Sequence, residues 1–258
     1  MTSRASIACM VLAVAACTFT LPEPREPRDP TIEPPPEGVD ASKPDAARGE
    51  DSSTEAAAPR YCTTVSASFC EDFEQQLTDS AYEQRTTGGG TFLVENGGFR
   101  AKIPALTDAR AWAYVKRAFT TPVTNGARLE MTVTLEEDPA SGNQIMIAPI
   151  TIGSPWFVAL LVLPNLSVLL TERTDATTFV DHGPAGSMPV GRPTRITLEV
   201  TLSPSNVTVT IDGKETKNEA LSAPPAPAAP ALQFGISNAE PPGGPWKMLF
   251  DDVRFDLR

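Results

Sequence analysis

From Phe69 to the end of the chain, apolar residues recur at every second position in one short segment after another. Leu129, Met131, Val133 and Leu135 alternate with Glu130, Thr132, Thr134 and Glu136, and the same beat runs through Ile196, Leu198, Val200 and Leu202 and through Val207, Val209 and Ile211. A period of two places successive side chains on opposite faces of an extended backbone, so each segment reads as a half-buried strand. Thr91 to Ile103 forms two extended runs around Asn96-Gly-Gly98, a strong hairpin signal. Ala111 to Phe119, Gln144 to Gly153 and Leu232 to Ser237 add further strands, while Glu83 to Thr87 leaves a short helix open. Helical periods are otherwise scarce. About a dozen short strands divided by Gly, Pro and Asn turns, with no alternating helices, predict an all-β, antiparallel two-sheet sandwich of the jelly-roll kind.

The longest apolar run, Trp156 to Leu163, is followed by Pro164-Asn165 and then by Leu166 to Thr171. Its length suggests a membrane helix, but the Pro-Asn break and the β-branched content favour a hairpin whose first strand is covered on both faces. In the closing segment Met248 and Phe250 share one face, as do Val253, Phe255 and Leu257, yet the step between the two sets is odd. Keeping both sets inward requires one extra residue, a β-bulge at Asp251-Asp252. The acidic-aromatic run Phe69-Cys-Glu-Asp-Phe-Glu74 is the expected partner of this closing strand.

Residues 1–17 read as a processing segment, with Arg4 ahead of an apolar core from Ile7 to Ala16. Val14-Ala-Ala-Cys17 resembles a bacterial lipobox, which implies cleavage before Cys17 and acylation (palmitate and related chains) of its thiol. An ordinary secretory signal or a short anchor, with an incidental Cys17, is the alternative. The resemblance implies a lipid-anchored protein of the bacterial cell envelope, and Thr18 after the cysteine points to the outer membrane, on its periplasmic face or at the cell surface. Residues 18–60 are rich in Pro, Glu and Ala, too poor in apolar surface to offset the entropy of ordering, and read as a disordered tether. A flexible coil of that length spans roughly 35 Å. The domain proper is then 61–258.

The chain carries a formal net charge of −11 and no basic cluster, which argues against nucleic acid and anionic lipid surfaces as partners. With Cys9 and Cys17 in the processing segment, Cys62 and Cys70 form an even pair that in an exported chain reads as a disulfide. Those two cysteines and the single His182 cannot supply a four-ligand zinc site.

The order of four motifs, Phe69-Cys-Glu-Asp-Phe-Glu74, the strand Leu129 to Glu136, Gly191 to Val200 leading to Ile211-Asp-Gly213, and Leu249-Phe-Asp-Asp-Val-Arg-Phe255, is similar to the laminin G-like, concanavalin A-like jelly rolls of exported bacterial proteins. The resemblance implies two curved sheets whose concave face or rim binds glycans, and, in many members, a structural calcium ion. Glu71 and Asp251 are the expected ligands, with Asp72 and Asp252 as substitutes. The alternative is that these acids sit at an edge or bulge and bind nothing. Laminarinase-type enzymes of this fold place acids as Glu-x-Asp-x-x-Glu along one strand, a spacing that the sequence lacks, and His182 has no triad context. The expectation is therefore a non-catalytic binding module, with no enzyme activity.

Sugar rings stack on aromatic platforms beside a few polar groups. Trp112, Tyr114, Trp156 and Trp246 are the candidates, Trp112 and Tyr114 first, because Ala111, Ala113 and Val115 on the opposite face suit a tight core. The expected partner is a polysaccharide. The alternative is an envelope protein docked on an apolar sheet face, since the Trp156 to Leu170 hairpin shows Val and Leu where a sugar cleft has Asn, Asp or Tyr.

Overall fold

The structure, a computed structural model, describes residues 61–77, 81–139 and 142–258. Cys17, the segment 1–17 and the tether 18–60 lie outside the described residues. A helical turn, α1 (Tyr61–Thr64), is followed by β1 (Phe69–Glu71), β2 (Tyr82–Thr87), β3 (Thr91–Glu95), β4 (Gly98–Ile103), β5 (Ala111–Ala118), β6 (Gly126–Leu135), β7 (Ile145–Ile152) and β8 (Phe157–Val162). The remainder is β9 (Ser167–Arg173), β10 (Phe179–Ser187), β11 (Thr194–Leu202), β12 (Ser205–Ile211), β13 (Lys214–Ala220), β14 (Pro230–Ala239) and β15 (Trp246–Leu257).

The strands form two antiparallel sheets. One runs β13-β12-β11-β6-β15-β4-β3, with β1 added against β15, and the other runs β10-β9-β8-β7-β14-β5-β2. The expected sandwich is the observed fold. Asn96 and Gly97 turn the β3–β4 hairpin, and Asp212 and Gly213 the β12–β13 hairpin, each pair at positive φ. Two adjacent residues in that region give a loop twist that matches the twist of the flanking strands.

Along β15, Asp251 faces Thr132 and Arg254 faces Glu130, so three steps on β15 span two on β6. Asp252 takes φ 51°. The bulge lies at the two acids, and Phe250, Val253 and Phe255 all point inward with no exposure. β1 pairs with β15 beyond the bulge, Phe69 opposite Phe255 and Glu71 opposite Val253, and a Cys62–Cys70 disulfide ties α1 to β1.

The sheets meet through interleaved aromatics. Phe99 of the first sheet lies 5.3 Å from Phe234 of the second, and Phe73 lies 5.9 Å and 5.3 Å from these two rings. Burying each such side chain contributes roughly 2–3 kcal/mol, which makes this cluster a main seam between the layers.

Three local expectations change, and two strands carry no sequence signal. Residues 82–87 are strand rather than helix, since their amides pair with β5. β10 and β13 lack apolar alternation because both are sheet edges, and β13 carries the charged side chains that discourage further pairing. The β8 strand is covered unevenly: Val158, Leu160 and Val162 enter the core, while on the other face Ala159 is buried and Phe157 and Leu161 stay half-exposed. Glu130, expected at the surface, is 5% exposed, because Arg195 and Arg128 bond to its carboxylate.

Candidate functional site

The outward face of the second sheet carries a groove of about 580 Å³. Its floor follows from strand pairing. On β9 the core side takes Val168, Leu170 and Glu172, which leaves Leu169, Thr171 and Arg173 in the groove. Phe157 of β8 and Phe179 of β10 stand opposite Arg173 on either side. Tyr114 of β5 continues the floor at the far end, opposite Gly235 of β14.

The polar part of the floor depends on bulges. β14 shifts register near Ile236 against both neighbours, and this irregularity brings the consecutive residues Ser237 and Asn238 to the same cavity, which strict alternation forbids. β7 shifts register between Ile147 and Ile150 around Ala148 at φ 55°, so the groove is lined by Met146 and Pro149, an odd step apart. Gly235 makes the β14 irregularity possible. It sits at φ 104°, and an added Cβ would lie 2.5 Å from the Ala113 carbonyl oxygen.

Gln144, Gln233, Ser237, Asn238 and Tyr114 all line this cavity, and among the described residues none of these side chains has a protein hydrogen-bond partner. The Ser237 hydroxyl is buried without one. Three amides and two hydroxyls therefore face the cavity with their capacity unused. Polar groups removed from bulk water ordinarily find partners, so an array of this kind suits a ligand rich in hydroxyls.

The charged groups lie at the two ends. Arg110 and Glu240 form an ion pair at 2.9 Å. At the other end the Arg173 guanidinium lies 5.8 Å and 5.7 Å from the ring centres of Phe157 and Phe179, and the Asp181 carboxylate accepts the Gly183 N–H at 2.7 Å. Burial, ahead of the neighbouring Glu83, pushes the Tyr114 phenol above its ordinary range, so it stays a neutral donor.

A carboxylate invisible to pattern reading supports this end from behind. Glu172 is fully buried: its Oε1 accepts from the Trp156 indole N–H at 3.0 Å and the Ala223 N–H at 3.1 Å, and its Oε2 accepts from the Ser222 N–H at 2.8 Å and meets His182 Nε2 at 3.0 Å. Burial, the largest single influence, raises its affinity for a proton, but the hydrogen bonds from Ser222, Trp156, Ala223 and His182 together outweigh it and hold the carboxyl below the usual range. Glu172 thereby joins β8, β9, β10 and the start of the Pro-Ala loop behind Phe157 and Arg173. A Glu in an apolar strand at a core-facing position is the one sequence signal for it.

The structure separates the candidate ligand residues. Tyr114 lines the groove, and Trp112 lies on the same outward face, half-exposed and beyond the lining, opposite Thr87 of the β2 edge. Ala111, Ala113 and Val115 fill the core behind them with no exposure. Trp156 and Trp246 are corrected: at 4% and 1% exposure both are core side chains, Trp156 drawn inward by Glu172 and Trp246 at the start of β15 opposite Ile103 of β4, so neither offers a ring to a ligand. His182 is a β10 residue with a 7% exposed side chain because the same carboxylate holds it.

Glu71 and Asp251 have different partners. Both Glu71 oxygens are engaged, one by the Phe73 N–H at 3.0 Å and one by the Tyr82 hydroxyl at 2.5 Å. Asp251 instead has Asp252, Asp72 and Glu74 as its acidic neighbours, and burial above all, then those charges, pushes it up to about 6. Among the described residues no three His, Cys, Asp or Glu side chains gather as a metal-holding group.

No family model matches the sequence, and no curated protein is similar to it. Solved structures do match. One, from work on endo-acting O-glycanases that members of the human gut microbiota express to initiate mucin breakdown, superposes with a TM-score of 0.55 at 17% identity over 75% of this chain and 100% of that one. A non-specific endo-β-1,3(4)-glucanase of family GH16 gives 0.53 at 12% identity over 75% and 91%. A GlcNAcα1-4Gal-releasing endo-β-galactosidase from Clostridium perfringens gives 0.55 at 10% identity over 73% and 62%. These likenesses establish the jelly-roll fold, and these three proteins that share it are carbohydrate-active. They also correct the expectation that the chain is no enzyme: glycan-cleaving enzymes have this fold, so the missing Glu-x-Asp-x-x-Glu spacing removes one arrangement of acids and not catalysis.

Proposed function

We propose that the chain is an envelope protein whose jelly-roll domain holds a glycan chain in the groove of its second sheet. The single observation behind this reading is the set of unpartnered amides and hydroxyls on the groove floor, Gln144, Gln233, Ser237, Asn238 and Tyr114, flanked by the rings of Tyr114, Phe157 and Phe179. Sugars present hydroxyls around an apolar ring face, and a floor with both features complements them. The carbohydrate-active proteins of the same fold support the same ligand class. What supports the envelope location is the lipobox-like Val14-Ala-Ala-Cys17 and the Cys62–Cys70 disulfide, a bond at home in oxidising compartments. A polysaccharide array probed with the purified protein tests the reading. The expected result is binding of at least one glycan class that Gln233→Ala combined with Asn238→Ala abolishes while the melting temperature stays put; an array with no bound glycan refutes it.

A second reading, cleavage of the bound chain, is supported by the glycan-cleaving proteins that share the fold. Asp181 and Glu240, at opposite ends of the groove, are too far apart to act as one acid pair on a single linkage. Product analysis after incubation with the bound glycan separates the two readings: shortened chains establish cleavage, and an unchanged chain length refutes it.

A further inference from the structure

Among the charged groups of the groove, Arg173 is in an unusual position. Arg110 is neutralised by Glu240 at 2.9 Å. Lys116 and Arg85, farther along the same face, both reach Glu83. Arg173 has no carboxylate partner among the described residues. The acid closest to it in sequence, Asp175, has its Oδ1 committed to the Thr177 and Thr178 N–H groups, each at 2.8 Å, and to the Thr177 hydroxyl. Asp181, diagonal to Arg173 across β9 and β10, forms no ion pair with it and accepts the Gly183 N–H instead.

The guanidinium is nevertheless held. Its Nε–H donates to the Asp175 carbonyl oxygen at 2.8 Å and Nη2 donates to the Ala176 carbonyl oxygen at 2.6 Å. Both carbonyls lie along the Nε/Nη2 edge of the planar group. Cζ stands over the rings of Phe157 and Phe179, which meet edge to face at 6.0 Å. Two carbonyls and two rings thus orient the plane, and the remaining Nη1/Nη2 edge keeps two parallel N–H donors without an acceptor among the described residues. That edge is the fork that binds a carboxylate in bidentate fashion. An anion there meets a charge already desolvated on one side by aromatic rings, where its interaction exceeds that in open water.

We infer that Arg173 is the carboxylate-recognising residue of the groove, and that its ligand is an acidic polysaccharide built from hexuronic acid residues, with the uronate carboxyl on the Nη1/Nη2 edge and the neighbouring sugars on the Gln144, Gln233 and Asn238 floor. This assignment rests on the reading of the groove as a glycan site and narrows it from sugars in general to uronates. Spacing agrees with it. Adjacent strands lie roughly 4.8 Å apart, so the three strand steps from Arg173 on β9 through β8 and β7 to Gln233 and Asn238 on β14 cover roughly 14 Å, the length of about three sugar units.

The test uses the full chain and two probes that differ only in charge: galacturonate or mannuronate oligomers, and the same oligomers with their carboxyls reduced to alcohols. The quantity read is the ratio of the two dissociation constants within each protein, which cancels any general loss of folded protein. A bidentate charge-assisted contact corresponds to a preference of roughly 10- to 100-fold for the acid form. Arg173→Gln is expected to bring the ratio close to one. Arg173→Lys, which keeps the charge and loses the fork, is expected to retain only part of it. A wild-type protein that binds the reduced oligomers equally well, or a ratio that Arg173→Gln leaves unchanged, overturns the assignment while leaving a neutral-glycan groove intact. Preference for a sulfated glycan over both oligomers overturns the carboxylate. Binding of no glycan at all overturns both the assignment and the groove reading.

Discussion

Glu172→Gln isolates the buried carboxylate behind the groove with almost no change of shape. The replacement amide has two orientations. With its nitrogen in the place of Oε1 it confronts the Trp156 and Ala223 N–H donors, leaving both unsatisfied. With its nitrogen in the place of Oε2 it can donate to His182 Nε2, if that ring carries its proton on Nδ1, and only the Ser222 N–H loses its acceptor. The second orientation wins. One orphaned buried N–H costs about 1–3 kcal/mol, and the two bonds kept on the other oxygen fall from charge-assisted to neutral strength, about 1 kcal/mol each. No buried charge is relieved in exchange, because the surroundings already hold the carboxyl below its usual range and so favour the ionised form net of burial. The expected loss is about 3–5 kcal/mol. In urea, followed by tryptophan fluorescence, a slope of about 2 kcal/mol/M turns this into a midpoint lower by about 2 M. A depressed carboxyl contributes stability that is present above the unfolded value, near pH 4.3, and is lost as pH falls through the folded one. The gap between wild type and variant therefore narrows on acidification below about pH 4. A difference under about 1 kcal/mol at pH 7, or one that widens in acid, refutes the account.

Asp251→Asn is expected to stabilise the protein in metal-free buffer at pH 7, because the native carboxyl is pushed up to about 6 and its ionised form is disfavoured. The sign is opposite to that of Glu172: wild-type stability falls as pH rises from about 4 through 6, and the variant lacks that slope, with a gain of about 1 kcal/mol after allowing for its partial exposure. Calcium titration followed by melting temperature is expected to show no stabilisation of the wild type, since both Glu71 oxygens already accept hydrogen bonds, from the Phe73 N–H and the Tyr82 hydroxyl. Gly235→Ala places a Cβ against the Ala113 carbonyl and the Phe99 ring at a φ that L-residues avoid, and a loss of about 2–4 kcal/mol in chemical denaturation follows. Cys62→Ser with Cys70→Ser opens a short loop and costs about 2–3 kcal/mol, read as a lower urea midpoint that reducing agent reproduces in the wild type.

The all-β sandwich was legible because strand periodicity is local: side chains two apart share a face whatever the rest of the chain does. Val207, Val209 and Ile211 need no partner to declare a strand. Register is also partly local, which is why the odd step at Asp251-Asp252 announced a bulge that pairing with Thr132 and Glu130 then displays. The pairing of Phe69 to Glu71 with the closing strand was legible as well, from two acidic-aromatic runs of like character.

The groove was another matter. Periodicity says that two faces exist, and not which one a second sheet will cover, so Trp112 and Tyr114 were placed correctly only because small Ala111, Ala113 and Val115 marked the opposite side as core. Trp156 offered no such contrast, and its fate hung on Glu172, a carboxylate also held by Ser222 and Ala223 some 50 residues away. Ser237 and Asn238 reached the groove together only through the register shift of β14 against β5 and β7, and Gln144 and Gln233 entered the same cavity from different strands. By itself, then, the amino-acid sequence determined the alternating strands, their turns and the closing bulge, because these follow from contacts between near neighbours, whereas the polar edges β2, β10 and β13 came only with pairing. The tertiary structure alone decided which polar groups gather on one face and which charges are buried, because desolvation and hydrogen bonding depend on atoms that are brought together only when distant strands pair.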